Sequence, residues 1–193
     1  MIDPSRITNY SMTEYELQEM VIFWVCVAGK TAFTIARCLD SLLEEIGAKT
    51  EHPFDVIVNI PDKELAVKLK DNGIGCYTLK ARAIKELATS DLNLRQCSVD
   101  DLEKIYGIGM KTSRCFIMHS RPDVQCAGLD THILKFLRDE GHEVPKSTPG
   151  TKKKYLELES LFLDYVKKSG KTAAEFDLEI WRKYSKNDLT NEK

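Results

Sequence analysis

What this sequence lacks narrows its class before any motif is read. No apolar run approaches the roughly 18 residues of a membrane helix, and the longest, 20–28, has the length of a core helix. Asp3, Glu14 and Glu16 stand where a secretion signal would need a basic start and an apolar stretch, so an intracellular protein of the cytoplasm or nucleoid is expected. The six cysteines, at 26, 38, 76, 97, 115 and 126, include no Cys-x-x-Cys pair and read as free thiols, most of them small core residues. Four scattered histidines, at 52, 119, 132 and 142, make no zinc pattern. There is little excess charge either. A net −2 leaves a polyanionic partner open, because such a partner needs a local positive face and not a basic total. The junction Ala28-Gly29-Lys30-Thr31 mimics the end of a nucleotide-binding loop, but the position of that motif's leading glycine is Trp24, which excludes it.

What is there reads as helix almost throughout. The 193 residues, 42% hydrophobic and 30% charged, suffice for one compact unit or two small interleaved subdomains. Thr13-x-x-Glu16 is a capping-box pattern opening a helix to about Val27, and a second helix over 31–46 stops at Gly47. Residues 54–60 are extended or helical, and Pro61 opens a helix to about Asn72. Ser98-x-x-Asp101 and Thr172-x-x-Glu175 repeat the capping pattern, and a long amphipathic run fills 151–168. Lys30, Lys80, Arg82, Lys111, Arg114 and the run Lys152, Lys153 and Lys154 are the candidates for a local positive face; for the run, a merely solvated helix start competes evenly.

The informative stretch is 102–137. A helix-forming run ends at Ile105-Tyr106, Gly107-Ile108-Gly109 turns the chain, and a second helix starts at about Met110. Two glycines permit positive φ and close approach of another molecule, while the first amides of the second helix point outward without intrahelical partners. Such a turn cradles phosphate. Directly behind it come Lys111 and, nineteen residues on, Asp130 at the start of another helix. An amine and a carboxylate beside a nucleic-acid backbone suggest chemistry at a sugar carbon. A phosphate-binding role for Lys111 and a plain N-cap role for Asp130 are the competing readings.

At these residues the chain resembles the helix-hairpin-helix DNA glycosylase superfamily. The hairpin Ile105 to Gly109, Lys111-Thr112 and Leu129-Asp130-Thr131-His132 match its signature, and Gly75-Cys76-Tyr77-Thr78-Leu79-Lys80-Ala81-Arg82-Ala83-Ile84 matches the pattern that opens the preceding helix. The resemblance implies an all-α fold of two helical subdomains with the active site in the cleft between them. One would comprise 1–61 plus 141–193, the other 62–140 with the helix-hairpin-helix at about 98–120. It also implies a bifunctional DNA glycosylase/AP lyase acting on double-stranded DNA, with a monomer as the expected state. Lys111 would attack C1′ of a flipped nucleotide, and Asp130 would accept its proton and stabilise the sugar cation. Gly107, Gly109, Met110, Thr112, Lys80 and Arg82 would hold the DNA backbone, and backbone carbonyls of Ile105 and Gly107 would seat a sodium or potassium ion. Several relatives carry an iron–sulfur cluster on four closely spaced C-terminal cysteines; with no cysteine beyond 126 none is expected here, and no other cofactor.

The runs 153–159 and 176–181 are similar to the compact, cluster-free 8-oxoguanine glycosylase/AP lyases of archaeal type, in which a tryptophan of the last helix stacks on the oxidised base. Trp181 is the matching residue, with a core role as the alternative; His132 and Lys30 complete the expected base pocket, and a helix-start role competes for His132. Two departures stand out. The chain continues through 186–193, where those enzymes end on a lysine soon after the tryptophan, and the 26–31 loop lacks the amide that many relatives insert beside the extruded base. Other readings therefore stay open: a superfamily member acting on another modified base, in a viral or defence setting, or a non-catalytic DNA-binding hairpin.

Overall fold

The computed structural model describes residues 1–188, and all regular structure among them is helical. After an arm with a single tight turn at Pro4–Arg6, α1 spans Glu14–Val27, α2 Ala32–Glu45, α3 Pro53–Ile57, α4 Asp62–Asp71 and α5 Tyr77–Thr89. Then come α6 at Val99–Leu102, α7 at Met110–Ser120, α8 at Thr131–Asp139, α9 at Lys152–Ser169 and α10 at Ala173–Asp188. The expected capping boxes form: Thr13 with Glu16, Ser98 with Asp101 and Thr172 with Glu175 each exchange side-chain and backbone hydrogen bonds. The first hairpin helix is shorter than expected. It makes one turn, and the chain reaches the hairpin through further turns.

The centre of the fold is α7, whose residues 113–120 are all buried, including Arg114 and His119. Wrapped by α1, α6 and α10, this helix needs no polar face, which is why its apolar pattern is weak in the sequence. Buried apolar residues from the arm to α10 form one contiguous cluster.

Two lysines of α5 join the helices beside it. Lys80 Nζ donates to the carbonyls of Cys26 at 2.6 Å and Ala28 at 3.3 Å, satisfying the C-terminal end of α1. Lys85 Nζ does the same for the end of α3 through Ile57, Val58 and Ile60 at 2.7–3.0 Å. A cation at a helix C-terminus meets both the orphan carbonyls and the negative end of the dipole. Lys80 therefore corrects the expectation placed on it. It is 6% exposed, with its ammonium on protein carbonyls, and faces no DNA backbone. Among the described residues no helix is long and apolar enough to cross a membrane.

Candidate active site

The hairpin is exposed at Gly107 and Gly109 and braced from behind by α5. Arg82 stacks on the Tyr106 ring with its guanidinium carbon 3.7 Å from the centroid, and Glu86 accepts from the Tyr106 amide at 3.0 Å. Gly107 takes φ +78°, and a Cβ there would meet the Ala83 Cβ at 3.3 Å, so the turn requires glycine on both counts. Gly109 differs from the expectation. Its φ is −96°, extended backbone open to most residues, and no atom lies within 4 Å of where its Cβ would stand. What Gly109 leaves is open space in front of α7. No side chain caps that helix start, so the amides of Met110, Lys111 and Thr112 face outward.

Lys111 and Asp130 are brought together by close packing of the chain after α7. A Cβ on Gly128 would lie 2.1 Å from Cys115 Sγ and 3.3 Å from the Lys111 carbonyl, so only glycine lets this segment lie against the Lys111 turn. Tyr155 of α9 fixes the same segment, its hydroxyl accepting from the Leu129 amide at 2.9 Å and donating to the Ala127 carbonyl at 2.8 Å. Glu159, one turn on, accepts from the Ala127 amide and from Arg114 Nε, both at 2.8 Å, and Arg114 Nη1 reaches Glu103 at 2.5 Å. Arg114 is thus a buried structural cation and leaves the list of DNA-facing charges.

Asp130 caps α8: Oδ1 accepts from the His132 and Ile133 amides, each at 2.9 Å, and Oδ2 lies 3.0 Å from His132 Nδ1. Burial works to raise its pKa, but the His132 hydrogen bond and the Lys111 and His132 charges outweigh burial and hold the carboxyl below its ordinary value. Cap and carboxylate roles coexist in one side chain.

A second carboxylate, which no motif marks in the sequence, belongs to the same electrostatic cluster as this lysine. Asp177 of α10 is largely buried and lies within electrostatic reach of Lys111 and Asp130. Burial pushes its carboxyl above the ordinary value, His119 and Lys111 pull it down, and the Asp130 charge pushes it up again. Its Oδ2 is 3.3 Å from Nε2 of the fully buried His119, an ion-pair distance without the alignment of a hydrogen bond. The other ring nitrogen lies 2.8 Å from the Thr8 hydroxyl, and Trp24 stacks on the imidazole at 5.5 Å and 10°. No local spacing signals this cluster, since its members come from the arm, α1, α7 and α10.

Comparison with known proteins decides the family. The helix-hairpin-helix family described as 8-oxoguanine DNA glycosylase matches residues 6–171. The chain belongs to this family. The 8-oxoguanine DNA glycosylase/AP lyase of Methanocaldococcus jannaschii is 30% identical over 187 residues, covering 91% of this chain and 86% of the relative. The 8-oxoguanine DNA glycosylase of Thermotoga maritima superposes with a TM-score of 0.67 at 28% identity, over 88% of this chain and 79% of its own. The M. jannaschii enzyme in complex with a 15-mer DNA containing 8-oxoguanine superposes with a TM-score of 0.68 at 26% identity, over 89% of this chain and 81% of its own.

The remaining residues expected in this glycosylase-family site are placed as follows. Trp181 of α10 is partly buried and tilts at 49° against the half-exposed Phe33 of α2, with ring centroids 5.8 Å apart. Lys30 is exposed on the loop after α1 and folds toward Gly75, whose Cβ would come 3.2 Å from Lys30 Cε. Arg82 is exposed beside the hairpin. Thr112 and Met110 are partly exposed at the start of α7. Cys26, Cys97, Cys115 and Cys126 are buried free thiols, whereas Cys76 is exposed. The tail 189–193, with the terminal lysine, lies outside the described residues.

Proposed function

We propose that this chain excises 8-oxoguanine from double-stranded DNA and then cleaves the strand as an AP lyase. The observation that carries this reading is the convergence of Lys111 and the ionised Asp130 behind an uncapped, exposed hairpin helix. A base inside a duplex hides its glycosidic bond, so the nucleotide must be extruded at a cost of a few kcal/mol. The outward amides of Met110, Lys111 and Thr112 and the exposed Arg82 would grip phosphates without reading sequence. A monovalent cation on the Ile105 and Gly107 carbonyls would add counter-charge there. The Ile105 carbonyl already accepts from the Ile108 amide at 3.1 Å and keeps a second lone pair.

In the chemical step the Lys111 ammonium gives a proton to a neighbouring carboxylate and its lone pair attacks C1′, while the bonding pair of the glycosidic bond leaves with the base, which takes up a proton. Asp130, held ionised, stabilises the positive charge that grows on the sugar. Opening of the sugar gives a Schiff base between Lys111 and C1′, and loss of a C2′ proton then expels the 3′ phosphate. A cleft between the central helices and the terminal ones would suit an extruded nucleotide, and the Trp181 and Phe33 rings, with His132 and Lys30 as the other expected pocket residues, would supply a surface on which an oxidised purine stacks. The enzyme acts as a monomer on this reading.

Borohydride trapping on a duplex with 8-oxoguanine opposite cytosine, beside an abasic duplex, tests it. Adducts on both, absent in Lys111→Gln, are expected. An adduct on the abasic duplex alone would move the substrate to another modified base, and no adduct on either would leave a DNA-binding hairpin without lyase chemistry. Trp181→Ala is expected to lose excision of 8-oxoguanine while keeping cleavage at the abasic site.

A further inference from the structure

Lys111 is approached by two carboxylates in different states. Asp130 has both oxygens engaged, by two amides and by His132. Asp177 has a lighter set of partners. The charged groups that act on it are His119 of α7 at 3.3 Å, Lys111 of α7 and Asp130 at the start of α8, while α9 meets α10 through the Phe162 and Phe176 rings. Cys115, one turn beyond Lys111, feels the charges of Lys111, Asp177 and Asp130 together. Asp177 also precedes Trp181 by one helical turn, so the two share a face of α10.

The arrangement behind Asp177 is ordered by chemistry as well as packing. A hydroxyl can donate to an imidazole nitrogen, and Thr8 is 2.8 Å from Nδ1. When the Thr8 hydroxyl donates to Nδ1, the ring proton falls on Nε2, the nitrogen 3.3 Å from Asp177. Trp24 fixes the ring plane by stacking on it. The result is a carboxylate held 3.3 Å from a fixed imidazole and within electrostatic reach of an amine that must lose a proton.

We propose that Asp177, oriented by His119 and Thr8, is a second carboxylate of the Lys111 site and receives the proton that the Lys111 ammonium gives up before its amine attacks C1′. The proton moves from Nζ to an Asp177 oxygen, leaving a neutral amine and a neutral acid. The amine's lone pair forms the bond to C1′ as the glycosidic pair departs, and the base anion takes up a proton. Asp130 need not be neutralised in that exchange and stays charged opposite the sugar cation. The opposite pKa displacements of the two carboxyls accord with this division, since environments that drive two acids apart mark separate acid–base and electrostatic roles. His119 and Thr8 are positioning residues. The proposal rests on the Schiff-base reading of Lys111.

The test uses the full chain in single-turnover excision of 8-oxoguanine and, separately, cleavage of an abasic duplex, from pH ~5 to ~9. Asp177→Asn is expected to slow both at neutral pH by about 10²-fold, the scale of a lost general base, with DNA affinity kept and melting temperature not lowered. Its rate should still climb at the alkaline end, because an unassisted amine must shed its proton to water. Asp177→Glu should restore part of the rate and the wild-type profile. Thr8→Val, on the outer arm, should move the acidic limb in the same direction by a few-fold loss near neutrality. A wild-type profile in Asp177→Asn, however slow the enzyme, would overturn the proposal. Should that variant fail to fold, wild-type profiles in both Thr8→Val and His119→Gln would overturn it. Absence of any adduct with the wild-type protein would instead defeat the Lys111 reading, and this proposal with it.

Discussion

Gly128→Ala is the sharpest single perturbation of the site, because it adds one methyl group where the structure has no room. The new Cβ would lie 2.1 Å from Cys115 Sγ, far inside contact, and 3.3 Å from the Lys111 carbonyl. Sγ belongs to a buried side chain and cannot swing away freely, so the segment 126–130 must lift off α7 by something near 1 Å. Overpacking of this kind costs about 1–3 kcal/mol, or roughly 2–10 °C in melting temperature for a chain of this size. The larger effect falls on turnover. Asp130 rides on the displaced segment, and a ~1 Å misplacement of a reacting group costs about 10²-fold in rate. Removing the obstacle should reverse both losses. In Gly128→Ala with Cys115→Ala the nearest contact becomes the Lys111 carbonyl and the Cys115 Cβ at 3.4 Å, which small shifts accommodate. Single-turnover rates and thermal melts of the two single variants and the double variant form the cycle. Additive losses in the double variant, or a Gly128→Ala enzyme as fast and stable as wild type, would refute the claim that this contact sets the Lys111–Asp130 approach.

Further outcomes follow from other contacts. Lys80→Met should cost about 1–3 kcal/mol by stranding the Cys26 and Ala28 carbonyls, yet leave the salt dependence of DNA affinity unchanged, whereas Arg82→Ala should lower the slope of log affinity against log salt by about one. Arg114→Met leaves Glu103 and Glu159 buried without their cation and should lose about 3–5 kcal/mol in urea unfolding; an unchanged midpoint would exclude a stabilising network there. Asp130 has a depressed pKa in the folded state. Its charge therefore contributes stability that is full above the ordinary carboxylate value and is lost as pH falls through the lower folded value. Melts of wild type and Asp130→Asn should accordingly differ at pH ~7 and converge as the pH falls below the ordinary 3.8. Asp177, displaced the other way, should give a neutral-pH gain on substitution by Asn, and that gain should disappear below its ordinary 3.8.

Most of the helices were legible because their signals are local. Thr13, Ser98 and Thr172 announce helix starts three residues ahead of their acidic partners, and Gly107 marks a left-handed turn within five residues of the lysine it serves. The approach of Asp130 to Lys111 was legible for a different reason: the motifs around them match a family as a set. Lys80 and Arg114 were misplaced because a lysine or arginine codes equally for a phosphate contact and for a buried carbonyl or carboxylate cap; only the partner 54 or 45 residues away distinguishes them. The Asp177 cluster was silent for a similar reason. His119 meets Thr8 across 111 residues, and Asp177 looks in the sequence like any acidic residue in the first turns of a helix. Gly109 was over-read, since a second glycine in a hairpin is as readily a clearance for a neighbour as a requirement of φ.

The lysine bolts of α5 bear on how the chain assembles during synthesis. The end of α1 cannot be satisfied until Lys80 has been made, and the end of α3 waits for Lys85. A nascent chain halted before residue 80 carries two helices with open carbonyl ends and a hydrophobic α1 lacking its cover. Closing loops of 54 and 25–28 residues is entropically modest, and both closures occur on one short helix. Emergence of α5 should therefore act as a checkpoint. Ribosome-bound fragments ending before it should be protease-sensitive throughout, while those extending through Thr89 should protect α1, α3 and α4 together, well before the hairpin or its lysine has left the exit tunnel.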